Sequence, residues 1–421
     1  MMKLAKTMRI CLTGLLLAAV LVQMSGFGVP IHATDLTLQV EPQPVAGREI
    51  DKTFIQAQMS FSVDLFQSSL KNAKSQNMLI SPLSAHLILS MSANGADGRT
   101  LEQMQTLLGR GIPVETLNEY WCTYLRQANI GAESELKIAN SIWFRGENGD
   151  IAVSKDFLQK NADYYQAQIY QAPFDAQTLQ DINCWVDLYT DGKIDRILQE
   201  IEPETMMYLI NALTFDAEWE NPYCQEDIKN GTFCSIDGQL QSVQMMHSEE
   251  TNYLDDGQAV GFLKHYKGGQ YSFAVLLPHE EIDIYQYVDG LTGERLYHTL
   301  KNSRSESVVA AIPKFKAEIE SPMNEMLASI GMTDALDANK ADFSKLGNPS
   351  SGNLYIGEVI QKTFICVDEL GTKAGAATRV DISNGSGLSD VITVTLDRPF
   401  IYLIIDQSTL SPVFIGLVTK I

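Results

Sequence analysis

Residues able to do chemistry are spread thinly along this chain of 421 residues. Its six histidines, His32, His86, His247, His265, His279 and His298, stand apart, and no two have metal-ligand spacing. Asp255-Asp256 and Glu280-Glu281 are the carboxylate pairs, the second directly after His279. Adjacent charges of this kind face water more readily than they converge on a substrate. There is no H-E-x-x-H pair, G-x-S-x-G elbow, Walker A loop, EF-hand loop or dinucleotide fingerprint. A Ser/His/Asp site assembled from distant residues stays open on sequence grounds. The most informative stretch offers itself to another protein's chemistry. It runs from Asp368 through Glu369, Leu370, Gly371, Thr372, Lys373, Ala374, Gly375, Ala376, Ala377, Thr378 and Arg379 to Val380.

That stretch has a period of two. Thr372, Ala374, Ala376, Thr378, Val380 and Ile382 share one face of an extended chain, and that face carries no charge. Lys373, Gly375, Ala377, Arg379, Asp381 and Ser383 share the other. The alternation suits a strand with one face in a core and one in water. Its glycines and alanines are poor strand formers, and Ala374 to Ala377 equally suit a helix start. The segment is therefore a candidate for conditional structure, and a flexible surface loop is the plainer reading.

The elements around it follow from periodicity and punctuation. Phe54 to Leu70 reads as a helix, with Phe54, Phe61, Leu65 and Phe66 at helical spacing. Asn77 to Ile80 reads as a short strand, Ser81 as the cap of a helix opening at Pro82, and Gly95 as its end. Leu136 to Phe144, Tyr208 to Phe215, Tyr271 to Leu277 and Val308 to Ile312 read as strands; Asp181 to Leu188 and Met323 to Ser329 read as helices. Thr363 to Val367 is a strand leading into the alternating segment. Val391 to Leu396, Phe400 to Ile405 and Pro412 to Val418 follow it, the last two joined by a turn. Helices early and strands late argue for an α+β fold with antiparallel sheets.

Composition sets the compartment and narrows the partners. The hydrophobic fraction of 45% is that of a globular chain. The formal net charge of −21 makes nucleic acid and anionic membranes poor partners. Lys3, Lys6 and Arg9 precede an apolar run from Ile10 to Val22, the pattern of a secretory leader. We read 1–33 as a signal peptide, with an uncleaved tether as the alternative, 34–50 as a polar linker, and 51–421 as the folded domain. The mature protein is then expected outside the cytoplasm. Of six cysteines, Cys11 lies in the leader. Cys224 and Cys234 flank a turn-rich segment and could pair, or all five others could be free thiols.

A set of short motifs, in order, resembles the serpin family over residues 50–421. They include Asn77 to Ser84, Asn94 to Thr100, Ile182 to Val186 with Thr190 to Ile194, and Leu209 to Leu213 followed by Trp219 and Pro222. Met245-Met246, Ile312 to Phe315 and Ala341 to Ser344 continue the series. It closes with Glu369 to Thr372, Arg398 to Phe400 and Val413 to Gly416. The resemblance implies a serpin fold of three β-sheets and about nine helices with an exposed reactive loop. It implies no enzyme and no cofactor. The expected partner is a target serine protease, held as a covalent acyl-enzyme and disabled when the cut loop inserts into the large sheet. The alternative is a non-inhibitory member serving as a carrier or adhesion protein. A monomer is expected. The helix matching the family's heparin-binding region, near Leu117 to Ala128, has one basic residue, Arg126, so heparin is not expected to act on it.

The same resemblance assigns residues. The loop hinge comprises Glu369, Gly371, Thr372, Ala374, Gly375, Ala376, Ala377 and Thr378. The inward members are uncharged, because bulk or charge would stop insertion into a packed interior. Ser81, Ser84, Asn211 and Gln361 match the polar cluster where the large sheet parts, with Gln361 where the family usually has histidine. Trp219 matches the tryptophan at the head of the sheet. Family spacing from Gly371 puts the reactive bond at Gly385-Ser386, suiting an elastase-like or subtilisin-like protease. Counting back from Pro399 reaches as far as Leu388, which would suit a chymotrypsin-like one. Cleavage at Arg379 is expected only to inactivate. Asn384-Gly385-Ser386 is also a glycosylation sequon, which points to a bacterial source.

Overall fold

The computed structural model describes residues 31–71, 76–128, 135–146, 151–349, 353–372 and 391–421. Residues 1–30 of the segment read as a leader (1–33), the hinge positions Ala374, Gly375, Ala376, Ala377 and Thr378, and the reactive-bond candidates Gly385, Ser386 and Leu388 lie outside the described residues.

Nine α-helices occur among the described residues. They are α1 (Lys52–Leu70), α2 (Pro82–Ala93), α3 (Gly98–Gly109), α4 (Val114–Ala128), α5 (Lys155–Tyr165), α6 (Ala176–Tyr189), α7 (Ile284–Asp289), α8 (Gly293–Lys301) and α9 (Asn324–Ser329). The Asp51 side chain caps α1 by accepting from the backbone N–H groups of Thr53 and Phe54. α2 is buried on every side, as its almost wholly apolar and small-residue sequence requires. Ser81 caps it and Pro82 occupies its first turn. α6 starts earlier than its apolar periodicity suggests, because Asp175 at its N-cap and Thr178 in its first turn form a capping box.

The large sheet contains, in spatial order, β1 (Thr34–Asp35), β5 (Gln168–Ala172), β3 (Glu135–Arg145), β6 (Met207–Glu218), β14 (Glu358–Val367) and β12 (Phe315–Pro322). A two-residue strand, β15 (Gly371–Thr372), pairs with β6 off this path. The second sheet runs β16 (Ile392–Thr395), β11 (Arg304–Pro313), β8 (Leu240–Asp255), β9 (Ala259–His265), β10 (Tyr271–Pro278), β17 (Phe400–Asp406), β18 (Pro412–Val418) and β2 (Met78–Ile80). β7 (Ile228–Cys234) pairs with β8, and β4 (Ile151–Val153) with β13 (Gly347–Pro349). The α+β class is the one the sequence pointed to, but the sheets are mixed rather than antiparallel: β14 runs parallel to β6, β3 to β5 and β11 to β16.

β6 is the central strand, and residues 207–215 are buried without a break. One of its faces packs Tyr208, Ile210 and Ala212 into a cluster with Ile182, Trp185 and Val186 of α6. The other face contributes Leu209 and Leu213 to the main core, which also contains α2. A strand covered on both faces reads as a continuous apolar run, and this one does.

The segment 34–50, read as a linker, begins with ordered structure. Thr34 and Asp35 pair with Gln171 and Tyr170 at the edge of the large sheet, and Leu36 is buried. The backbone N–H groups of His32 and Ala33 donate to the Asp181 carboxylate of α6 at 2.9 and 2.8 Å. Polar composition concealed this, because the anchoring is mostly backbone. No disulfide joins cysteines among the described residues, and the Cys224 thiol donates to Asp227.

Candidate functional site: the parting line of the large sheet

β6 and β14 run parallel and pair from Tyr208–Glu358 to Leu213–Thr363. Above Leu213 the direct pairing stops, although β6 continues to Glu218 and β14 to Val367. The chain turns at Asp368 to Leu370 and comes back antiparallel to β6, with Gly371 opposite Glu218 and Thr372 opposite Ala217. The first two residues of the loop thus already lie as a strand at the upper end of the gap. Any further strand between β6 and β14 must separate the pairs below.

Only glycine fits the first of these places. A Cβ on Gly371 would fall 2.1 Å from the Ala217 carbonyl oxygen, a backbone atom that cannot move aside cheaply. Thr372 is 3% exposed, and its hydroxyl shares a hydrogen bond with the Tyr266 hydroxyl at 2.6 Å. Tyr266 in turn stacks on Trp219, ring centroids 4.4 Å apart. The Trp219 indole N–H donates to the Asp368 carbonyl at 2.9 Å, and its backbone N–H donates to the Leu370 carbonyl. Trp219 therefore clasps both sides of the turn that aims the loop.

Two ion pairs close this corner. Lys264 is almost wholly buried; its ammonium donates to Glu250 at 2.9 Å and lies over the rings of Tyr223 and Trp219. A buried ammonium needs such an acid and such ring faces. Lys314 pairs with Glu369 at 2.6 Å, and that hydrogen bond holds the Glu369 carboxyl below its ordinary range. Burial pushes the neighbouring Asp368 carboxyl the other way. Asp368 still accepts from the backbone N–H of Leu370, which fixes the turn.

Halfway down, a polar cluster straddles β6 and β14. Gln361 of β14 accepts from the Ser81 N–H through Oε1 at 2.8 Å and donates from Nε2 to the Ser81 carbonyl at 2.9 Å. The same Nε2 lies 3.3 Å from Asn211 Oδ1. The Ser84 hydroxyl donates to that Asn211 oxygen, and Asn211 Nδ2 donates to Asn140 Oδ1. The Ser81 hydroxyl donates to the Val413 carbonyl at 2.7 Å. Ser81, Ser84, Asn211 and Gln361 are all buried. The structure thus brings the four sequence-assigned residues together, linking α2, β3, β6, β14 and β18. A glutamine amide donates and accepts at once and does not titrate.

Sequence reasoning missed Tyr266, Lys264, Glu250 and Asn140. Lys314 stood inside a quoted motif with no role attached. The signal for Lys264 was a lone cation ending the apolar run Ala259–His265. Tyr266 carried none, since aromatic residues at strand ends are common.

Comparison with known proteins agrees with this geometry. The family model for serpins, serine protease inhibitors, matches residues 56–421. The chain belongs to the serpin family. Its structure is similar to that of the thermophilic serpin tengpin in the native state, with a TM-score of 0.88 and 48% identity over 92% of this chain and 100% of that one. Tengpin in the latent state scores 0.78 at 50% identity over 89% and 100%. A serpin-like protein of Thermococcus kodakarensis is 29% identical over 87% of this chain and 85% of its own length. Leukocyte elastase inhibitor A of Rattus norvegicus is 28% identical over 85% and 96%. Membership in the family supports a protease-inhibitor type of function in general.

Proposed function

We propose that this protein is a secreted suicide-substrate inhibitor of serine proteases, acting as a monomer. A protease attacks the loop beyond Thr372 as it would a substrate. Its serine hydroxyl adds to the scissile carbonyl, the C-terminal amine leaves with a proton, and an acyl-enzyme remains. The freed loop then extends β15 downward between β6 and β14 and carries the protease with it before water can hydrolyse the ester. The observation that carries this reading is the pairing of Gly371 and Thr372 with β6 above the last β6–β14 pair. The strand has begun, and its path lies through six parallel residue pairs and the Gln361–Ser81–Asn211 cluster.

The favoured target is elastase-like or subtilisin-like. Gly385 and Ser386 are small enough for a shallow primary pocket, and a relative is named as an elastase inhibitor. The mature protein is to be incubated with elastase, subtilisin, chymotrypsin and trypsin, and the products separated in SDS. A covalent adduct with elastase or subtilisin supports the proposal, and mass spectrometry of the released C-terminal fragment assigns the bond. Clean loop cleavage by all four without an adduct favours a non-inhibitory serpin.

A further inference from the structure

A small cavity lies between α1, α2, α4 and the turn joining β17 to β18. Gln58, Ser62, Leu83, His86, Tyr124 and Ser411 are among the residues lining it, and all of them are buried. The room for the centre of a water molecule is about 10 Å³. A buried water needs about 10–15 Å³ by that measure and two to four polar partners. One water fits, and an organic ligand does not.

The polar atoms of the wall sort into satisfied and unsatisfied groups. His86 Nε2 hydrogen-bonds the Leu108 carbonyl at 2.7 Å, which makes it the protonated nitrogen, so Nδ1 accepts from the Ser90 hydroxyl at 3.2 Å. The Ser62 hydroxyl donates to the Gln58 carbonyl at 2.7 Å. Tyr124 interacts with Asp406. The Gln58 amide nitrogen and oxygen and the Ser411 hydroxyl have no hydrogen-bond partner among the described residues. A buried polar atom left without a partner costs about 1–3 kcal/mol. Two unpartnered side chains lining one cavity of this size therefore call for a ligand that is both donor and acceptor.

We propose that this cavity is a binding site for a single water molecule held between the Gln58 amide and the Ser411 hydroxyl. Its position gives it a role in native-state rigidity. Pro82 and Pro412 also line the cavity. They adjoin Ser81 and Val413, whose hydroxyl-to-carbonyl bond ties α2 to β18 beside the parting line. The water joins α1 to the same turn and braces the start of α2.

A high-resolution crystal structure of the mature protein tests this, with thermal unfolding of Ser411→Ala and Gln58→Met alongside. The expected result is density within about 3.2 Å of a Gln58 amide atom and of Ser411 Oγ. The unfolding midpoint should fall in both variants, because each leaves the water short of a partner. An empty cavity in a well-defined map overturns the proposal. So does a raised midpoint in both variants, the response of a dry cavity relieved of unpaired polar atoms. Ser411→Ala removes a single atom, so it keeps the test decisive should Gln58→Met fail to fold.

Discussion

Thr372 is the place where one substitution should separate cleavage from inhibition. Replacing it with arginine removes the 2.6 Å hydroxyl bond to Tyr266 and places a guanidinium where 3% of the native side chain is exposed. The lost hydrogen bond is worth about 1 kcal/mol. An unpaired charge in a buried site costs about 3–5 kcal/mol more. The surroundings offer no relief: the cation beside Trp219 is Lys264, and its acid, Glu250, is already engaged. The intact variant relieves that penalty by letting residues 371–372 peel from β6, whereas insertion forces the charge back in, so the step slows by about three to four orders of magnitude. Hydrolysis of the acyl-enzyme does not slow, so partition moves from trapping to turnover. The assay is the stoichiometry of inhibition, with the cut bond checked by mass spectrometry and the fold by circular dichroism. T372R should be cleaved at the wild-type bond and released as spent substrate. T372V, which loses only the hydroxyl, should inhibit with a modestly raised stoichiometry. If T372R inhibits as the unsubstituted protein does, trapping does not require position 372 to stay buried in the sheet and the reasoning fails.

Three further outcomes follow from the same geometry. Burial lowers the His86 imidazole from its ordinary 6.5 to about 4. Its folded value lies below its unfolded one, so its neutral form adds stability above pH 6.5 that is lost as pH falls toward 4, about 3 kcal/mol in all; denaturant unfolding between pH 7 and 4 should show this slope, and H86Q should flatten it. The Glu369 carboxyl is held low by Lys314, so that contact is intact above the ordinary carboxylate range and is lost as pH falls through the depressed value. The pair is partly exposed, so high salt should weaken it, and K314A should move the acid transition to higher pH. W219F keeps a ring but removes the N–H that bonds the Asp368 carbonyl, at a cost of about 1–3 kcal/mol. Hydrogen exchange should then quicken at Leu370 to Thr372 and not elsewhere, and unchanged exchange there would deny Trp219 its clasping role.

What could be seen in advance depended on how local the cause was. The start of α2 was legible because a serine cap and an N-terminal proline act within one turn. β6 and β10 were legible because central strands are continuous apolar runs. α3 and α5 were overlooked, and α4 was placed only through the family resemblance, since each buries only one stripe among many polar residues. The strand at Thr34–Asp35 was hidden in polar sequence because the edge of β5 and the Asp181 carboxylate create it. In the site, motif order gave Ser81, Ser84, Asn211, Gln361 and Trp219. Tyr266, Lys264 and Glu250 matter through who meets whom across the second sheet, which no local spacing encodes.

The central claim is that the cut loop becomes a strand between β6 and β14. Thermal unfolding before and after one cut in the loop, at Gly385-Ser386 or nearby, measures this most directly. The new strand would gain ladder hydrogen bonds on both sides and carry the uncharged face that follows Thr372 into the sheet, so the midpoint of the cleaved protein should rise well above that of the intact one. A midpoint that stays put or falls after the cut would show that no strand entered the sheet, and would contradict the account.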